Sequence, residues 1–112
     1  MNDVSIGALT VSNDRPLTLI AGPCQLEGLD HALMIASHMA GICAKTGAQF
    51  IFKGSFDKAN RTSLSGKRGL GIDEGLRVME QVKAELGCPV LTDIHSVDQC
   101  APVAQVCDVM QI

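Results

Sequence analysis

Residues 52–63 read FKGSFDKANRTS, and within that stretch Lys53, Lys58 and Arg61 stand beside Asn60, Thr62 and Ser63. Lysine supplies a compact positive charge, and arginine supplies a planar pair of donors that fits a carboxylate or a phosphate. The amide and the hydroxyls add neutral donors for sugar hydroxyls or phosphate oxygens. The grouping therefore suits an anion. The competing reading is a solvated loop with a charge run. Position argues against it: Lys53 closes the apolar run AQFIF. A strand of that kind carries its last side chain to the mouth of a sheet, not to an arbitrary surface.

Three other residues could carry chemistry. Cys24 follows a Gly-Pro turn at the end of the apolar run LTLIA. It reads either as a small buried thiol or as a thiolate ligand to a divalent metal. Glu27 lies close enough in sequence to be a second ligand and equally to face solvent. Asp93 stands near the end of the run PVLTDI, and His95 follows it. Asp93 can cap a turn, or orient a hydroxyl, a water or a lysine. His95 can act as a ligand, a base or a hydrogen-bond donor. A catalytic metal normally takes about three protein ligands, and the spacing here does not supply three. His31 and His38 share a helix face and are given no role. No GxxxxGK[ST] and no GxGxxG is present, so neither a P-loop nor a dinucleotide fingerprint is read.

Composition narrows the classes. The chain has 112 residues, 46% hydrophobic, with 3% aromatic and no Trp or Tyr, so the core must be built from aliphatic side chains, Met and Cys. The net charge of −3 lends nothing to a general nucleic-acid or membrane role. The nine Lys and Arg are uneven, however: Lys53, Lys58, Arg61, Lys67 and Arg68 cluster around the single acid Asp57. The five cysteines form no CxxC pair and no signal-like leader is seen, which suits reduced thiols in the cytoplasm.

Periodicity gives the scaffold on which these groups sit. Residues 4–12 read as a hairpin around Gly7. Residues 17–22 read as a strand. Residues 29–46 read as a helix with Ala32, Ile35, Ala36, Met39 and Cys43 on one face, Asp30 as a cap and Gly47 as a stop. A strand over 48–53 and a polar loop over 54–71 come next. A second helix over about 73–86 aligns Leu76, Met79, Val82 and Leu86, and Gly87 and Pro89 end it. A strand over 89–94 leads to SVDQ, with capping-box spacing, and a helix that Pro102 should kink or restart. Residues 107–112 read as a last strand. The chain is thus one α/β domain, 1–112, of hairpin followed by alternating strands and helices.

Such strands, apolar on both faces, suit a parallel sheet covered by helices. An open doubly wound sheet and half of an eight-stranded barrel both fit. In a barrel the chemistry sits at the C-terminal ends of successive strands, whereas an open sheet places ligands at a topological switch point. Here GPCQLE, KGSFDKANR and TDIH end three successive strands, which favours the barrel. A whole barrel takes about 250 residues, so these four strands would be under half of one.

The segments AGPCQLE, FKGSFDKANRTS, RGLGIDEGL, TDIH and DVMQI, in this order and spacing, closely resemble the N-terminal part of the 3-deoxy-D-manno-octulosonate 8-phosphate synthases. The resemblance runs over nearly the whole chain from about residue 4, and FKGSFDKANR is its most specific part. The related 3-deoxy-arabino-heptulosonate 7-phosphate synthases share the GPC turn but carry a different basic segment; they are the alternative, together with a catalytically inactive anion-binding module. The resemblance implies a (β/α)8 TIM barrel with the hairpin closing its bottom, a homotetramer, and condensation of phosphoenolpyruvate with arabinose 5-phosphate toward the lipopolysaccharide sugar Kdo. It implies that Lys53 and Lys58 hold phosphoenolpyruvate, and that Lys58, Asn60, Arg61 and Thr62 bind the sugar phosphate, with Thr62 standing where Ser is usual. It counts Ser55 among the substrate-binding residues and Asp93, His95 and Gln111 among active-site positions. Lys53, Lys58, Asp93 and His95 are the expected catalytic set. Cys24 stands where the metal-dependent branch has Cys and the metal-independent branch has Asn, which implies a divalent ion such as Mn, Fe, Co or Zn. The family's other metal ligands, a His, a Glu and an Asp, and further phosphoenolpyruvate-binding Lys and Arg residues come from later strands. These 112 residues alone are therefore expected to be inactive.

Overall fold

The computed structural model describes residues 2–57 and 69–112. The hairpin is present as β1 (Val4–Ile6) and β2 (Leu9–Val11), antiparallel with Val4 opposite Val11. The alternating part comprises β3 (Thr18–Ala21), α1 (Leu29–Thr46), β4 (Gln49–Lys53), α2 (Ile72–Leu86), β5 (Val90–Asp93), a 3₁₀ turn (Val97–Gln99), α3 (Cys100–Val106) and β6 (Val109–Gln111). The four later strands form one parallel sheet in the order β3-β4-β5-β6. Each strand pairs with the one before it in sequence, and no reversal of order occurs among these four, so no switch point arises within this sheet.

Local chemistry explains the boundaries. Gly47 and Gly87 end α1 and α2 in the left-handed conformation, at φ 79° and 71°, and each donates its N–H back to the last helical turn. The expected cap at Asp30 is not the one found. α1 begins after Gly28 without a side-chain cap, and Asp30 lies in the first turn, where its charge suits the helix dipole. At the third helix, Ser96 makes no capping bond. Gln99 instead accepts the N–H of His95 at 2.8 Å, one residue upstream of the cap position. Pro102 falls within the first turn of α3, where its missing N–H has no helical partner to lose, so it restarts the helix after the 3₁₀ turn without breaking it.

The sheet has two distinct faces. Phe50 and Phe52 of β4 and Val90 of β5 pack with Ala32, Ala36 and Cys43 of α1, Val78, Met79 and Val82 of α2, and Val103 of α3. That is the main core. Ile51 and Leu91 are also buried but lie outside this helix-built cluster, and Ile20 beside Ile51 is 48% exposed. The second face therefore carries apolar side chains that the described helices do not cover.

The hairpin meets the sheet at its N-terminal end. The Gln49 amide donates to the carbonyls of Thr10 and Pro16 and to the Thr18 hydroxyl. Gly7 lies against Pro89 and Asp108, just before β5 and β6. At that end Asp108 accepts the Val90 N–H at 3.0 Å and pairs with Lys83 at 3.0 Å. Burial, with the Asp108 charge adding to it, pushes the Cys107 thiol up to about 11. The Cys88 thiol is raised chiefly by burial.

Candidate active site

Strand register decides which side chains can meet. In a parallel pair, residues opposite one another point to the same face, and residues two apart along a strand do likewise. Lys53 pairs with Leu91, Leu91 with Val109, and Asp93 with Gln111. Lys53, Asp93 and Gln111 thus share one face, the one the described helices leave uncovered, and all three stand at C-terminal strand ends. An ammonium, a carboxylate and an amide together at the rim of an otherwise apolar face can hold an anion and orient a hydroxyl or a water.

His95 extends this group. Its Nε2 lies 3.1 Å from Asp93 Oδ2 and 2.9 Å from the backbone carbonyl of Asp57. Both neighbours are acceptors, so in the neutral ring the proton sits on Nε2 and Nδ1 keeps its lone pair. The residue is held in other ways too. Gln99 takes the His95 N–H, and Phe56 meets the ring edge-on, centroids 6.3 Å apart at 71°. Asp93 Oδ1 is buried and has no hydrogen-bond partner among the described residues. A buried carboxylate oxygen left in that state is a place where a substrate hydroxyl or a water finds an acceptor.

The end of β3 approaches the same rim. A β-carbon at Gly22 would overlap the Lys53 carbonyl, so only glycine lets these two strand ends run together. Beyond the Gly-Pro turn, Gln25 bridges to Ser55 and the Leu26 N–H donates to the Ser55 carbonyl at 2.9 Å. Leu26 is fully buried over Gly54. Ser55 is 1% exposed and its hydroxyl donates to the Asp57 carbonyl at 3.0 Å, so it helps shape the turn that receives His95. Cys24 is exposed. Glu27 pairs with His31 at 3.4 Å. No group of three His, Cys, Asp or Glu among the described residues could hold a metal ion. At the turn after β3, Cys24 thus stands without a described set of partner ligands, and the described residues do not by themselves fit a metal.

Lys58, Asn60, Arg61, Thr62 and Ser63 lie outside the described residues. On either side of them, the Gly71 N–H donates to the Phe56 carbonyl at 3.0 Å, joining the start of α2 to the end of the β4 turn.

Three contributors leave no clear signal in the sequence. The Asp57 carbonyl is a backbone group and leaves no trace in residue type. Gln99 reads as half of a capping box, whereas it serves the His95 backbone. Thr92 is fully buried, and its hydroxyl donates to the Gly54 carbonyl at 2.8 Å. A threonine inside TDIH reads simply as a β-branched strand residue.

Comparison with known proteins bears on these residues together. The chain is 53% identical over 109 residues to the 2-dehydro-3-deoxyphosphooctonate aldolase of Rickettsia bellii, covering 97% of this chain and 40% of that protein. It is 53% identical to the protein of the same name from Nitrobacter winogradskyi, covering 97% and 38%. Against the one from Rickettsia prowazekii it is 50% identical, covering 97% and 40%. The chain therefore spans about two-fifths of the length of the curated relatives it matches. No described helix is long and apolar enough to cross a membrane. Residues 3–112 match the family model described as DAHP synthetase I family, and the chain belongs to that family.

Proposed function

We propose that the intact protein condenses phosphoenolpyruvate with arabinose 5-phosphate to give 3-deoxy-D-manno-octulosonate 8-phosphate and inorganic phosphate, a step of Kdo and lipopolysaccharide biosynthesis. The observation that carries the reading is the convergence of Lys53, Asp93 and Gln111 on one sheet face beside His95. It occurs in a chain about half identical to relatives named 2-dehydro-3-deoxyphosphooctonate aldolase, another name for that synthase. The four parallel strands are, on this reading, the first four of an eight-stranded barrel, and the protein is a cytoplasmic homotetramer.

The chemistry proceeds by attack of C3 of the enol phosphate on the sugar aldehyde. The new carbon–carbon bond takes its electrons from the enol double bond, the aldehyde oxygen gains a proton, and cationic charge develops at C2. Water adds there and loses a proton. In the phosphorylated hemiketal the C2 hydroxyl oxygen then forms the ketone C=O bond as the C2–O–phosphate bond breaks, and its proton leaves with the released phosphate. Lys53 offsets the carboxylate and phosphate charge and holds the enol in line for attack. The Asp93 Oδ1 atom accepts a hydrogen bond from the water or from a sugar hydroxyl. His95, with Nε2–H engaged, presents Nδ1 as the proton acceptor. Lys58, Asn60, Arg61 and Thr62 hold the sugar phosphate, and Ser55 supports the turn between the two substrates. Cys24 is proposed as one thiolate ligand of a divalent ion, completed by groups beyond those described. No step above is assigned to it.

The test is phosphate release by the intact protein from phosphoenolpyruvate with either arabinose 5-phosphate or erythrose 4-phosphate. Release with the pentose phosphate alone is expected. Release with the tetrose phosphate instead would move the protein to the heptulosonate chemistry that the family description also names, and release with neither would overturn the condensation reading.

A further inference from the structure

The Thr92 side chain stands with its back to the site. It lies between Leu91 and Asp93 in β5, so it points to the helix-covered face while both neighbours point to the other. It is fully buried, and its hydroxyl donates to the carbonyl of Gly54 at 2.8 Å. Gly54 is the residue after Lys53, and its own N–H reaches back to the Leu91 carbonyl at 3.3 Å. The end of β4 is thus tied to β5 twice, through both polar groups of a single residue. A β-carbon on Gly54 would come within 2.5 Å of Leu26 Cδ2, so the Leu26 side chain packs directly on this segment from the β3 turn.

The turn beyond Gly54 makes the tie consequential. Three residues later the Asp57 carbonyl accepts from His95 Nε2, the atom that also faces Asp93 Oδ2. The path from Lys53 through Gly54 to Asp57 and the path from Thr92 through Asp93 to His95 therefore meet at both ends. One end is the imidazole. The other is the Thr92–Gly54 bond, which the solvent does not reach. We propose that Thr92 is a positioning residue. Its buried hydroxyl fixes the 54–57 turn against β5, and thereby sets the Lys53 ammonium relative to Asp93 and the Asp57 carbonyl relative to His95.

Thr92→Val keeps the shape and removes the donor; Thr92→Ser keeps the donor. The kinetic arm rests on the condensation proposed above, and the spectroscopic arm does not. In the intact protein, Thr92→Val is expected to lower kcat/KM by between about tenfold and a hundredfold, and Thr92→Ser to return it to within about threefold of the parent. In protein labelled with 15N-histidine, with His95 assigned through His95→Gln, the ring signals of a proton held on Nε2 are expected in the parent and the Ser variant and altered in the Val variant. Unchanged kinetics and an unchanged His95 signal in a folded Thr92→Val protein would overturn the proposal. So would Val and Ser behaving alike. Should the parent itself fail to turn over, the condensation reading falls and the histidine signals alone decide. Should the Val variant not fold, the Thr92 hydroxyl proton of the parent decides: slow exchange with solvent supports the brace, and fast exchange overturns it.

Discussion

Replacing Gly22 by alanine perturbs the closest approach between two strand ends. The added β-carbon overlaps the Lys53 carbonyl oxygen and lies 2.8 Å from its carbon and 3.1 Å from the Lys53 nitrogen. All three are main-chain atoms, so no rotamer change relieves the clash. β3 and β4 must separate instead, and the pairings on either side, Ala21 with Phe52 and Gln25 with Ser55, separate with them. Two backbone bonds at about 1 kcal/mol each and overpacking strain of about 1–3 kcal/mol give a loss of about 3–5 kcal/mol. Domain stabilities run from about 5 to 15 kcal/mol, so the variant loses a large share. A urea titration of the intact protein followed by circular dichroism should show the midpoint falling by on the order of 1–2 M. Gly41→Ala is the control. Gly41 lies inside α1 with open space where a β-carbon would go, so that variant should gain about 0.5–1 kcal/mol. A Gly22→Ala midpoint within about 0.3 M of the parent would refute the close-approach argument.

Asp108→Ala should cost about 1.5–3 kcal/mol, since Val90 N–H and Lys83 both lose a charged partner. It should leave KM for phosphoenolpyruvate unchanged, because Asp108 meets Lys83 of α2 on the helix-covered side of the sheet while Lys53 lies on the opposite face; a shifted KM at unaltered stability would contradict this. The Cys107 thiol, pushed from an ordinary 9.0 to about 11, binds its proton more tightly folded than unfolded. Its stabilising contribution is whole below pH 9 and is lost as the pH rises through about 11. Stability measured across that window should therefore fall less steeply in Cys107→Ala than in the parent, and equal slopes would count against the burial argument. Cys24 is exposed while Cys43 and Cys107 are buried, so iodoacetamide followed by mass spectrometry should find Cys24 modified well before the other two. If Cys24 is also a metal ligand, Cys24→Ser should lose metal and activity together, and chelator should abolish the parent's activity until a divalent ion is returned; full activity in chelator would remove the metal from the mechanism.

Much of the fold is legible in the sequence because its signals are local. The runs at LTLIA, QFIFK and VLTD are strands, and the apolar face of residues 32–43 packs against them through Ala32, Ala36 and Cys43. Gly47 and Gly87 stop helices for a reason a single residue carries. Start signals are less legible. Asp30 and Ser96 have the right chemistry for caps, but a cap also needs a backbone turn that presents it, and neither is used. Alternation along the strands is enough to place Lys53 and Asp93 at strand ends, but not to set Lys53, Asp93 and Gln111 on a common face. That comes only from inter-strand register. The roles of the Thr92 hydroxyl and the Asp57 carbonyl are hidden for a further reason: their partners are main-chain or distant atoms, and residue type says nothing of where those atoms lie.

The sequential strand order has a consequence for how the chain is made. Each parallel strand finds its partner in the strand synthesised just before it, so the sheet can grow by addition at one edge as the polypeptide emerges. The hairpin is different. It comes first, and its own pairing is local, yet the groups it rests against, Gln49, Pro89 and Asp108, arrive one after another along the rest of the chain. It can therefore form before the groups it rests against exist, and it docks fully only once Asp108 has been made. Any ribosome-bound intermediate short of Asp108 carries it without its full seat.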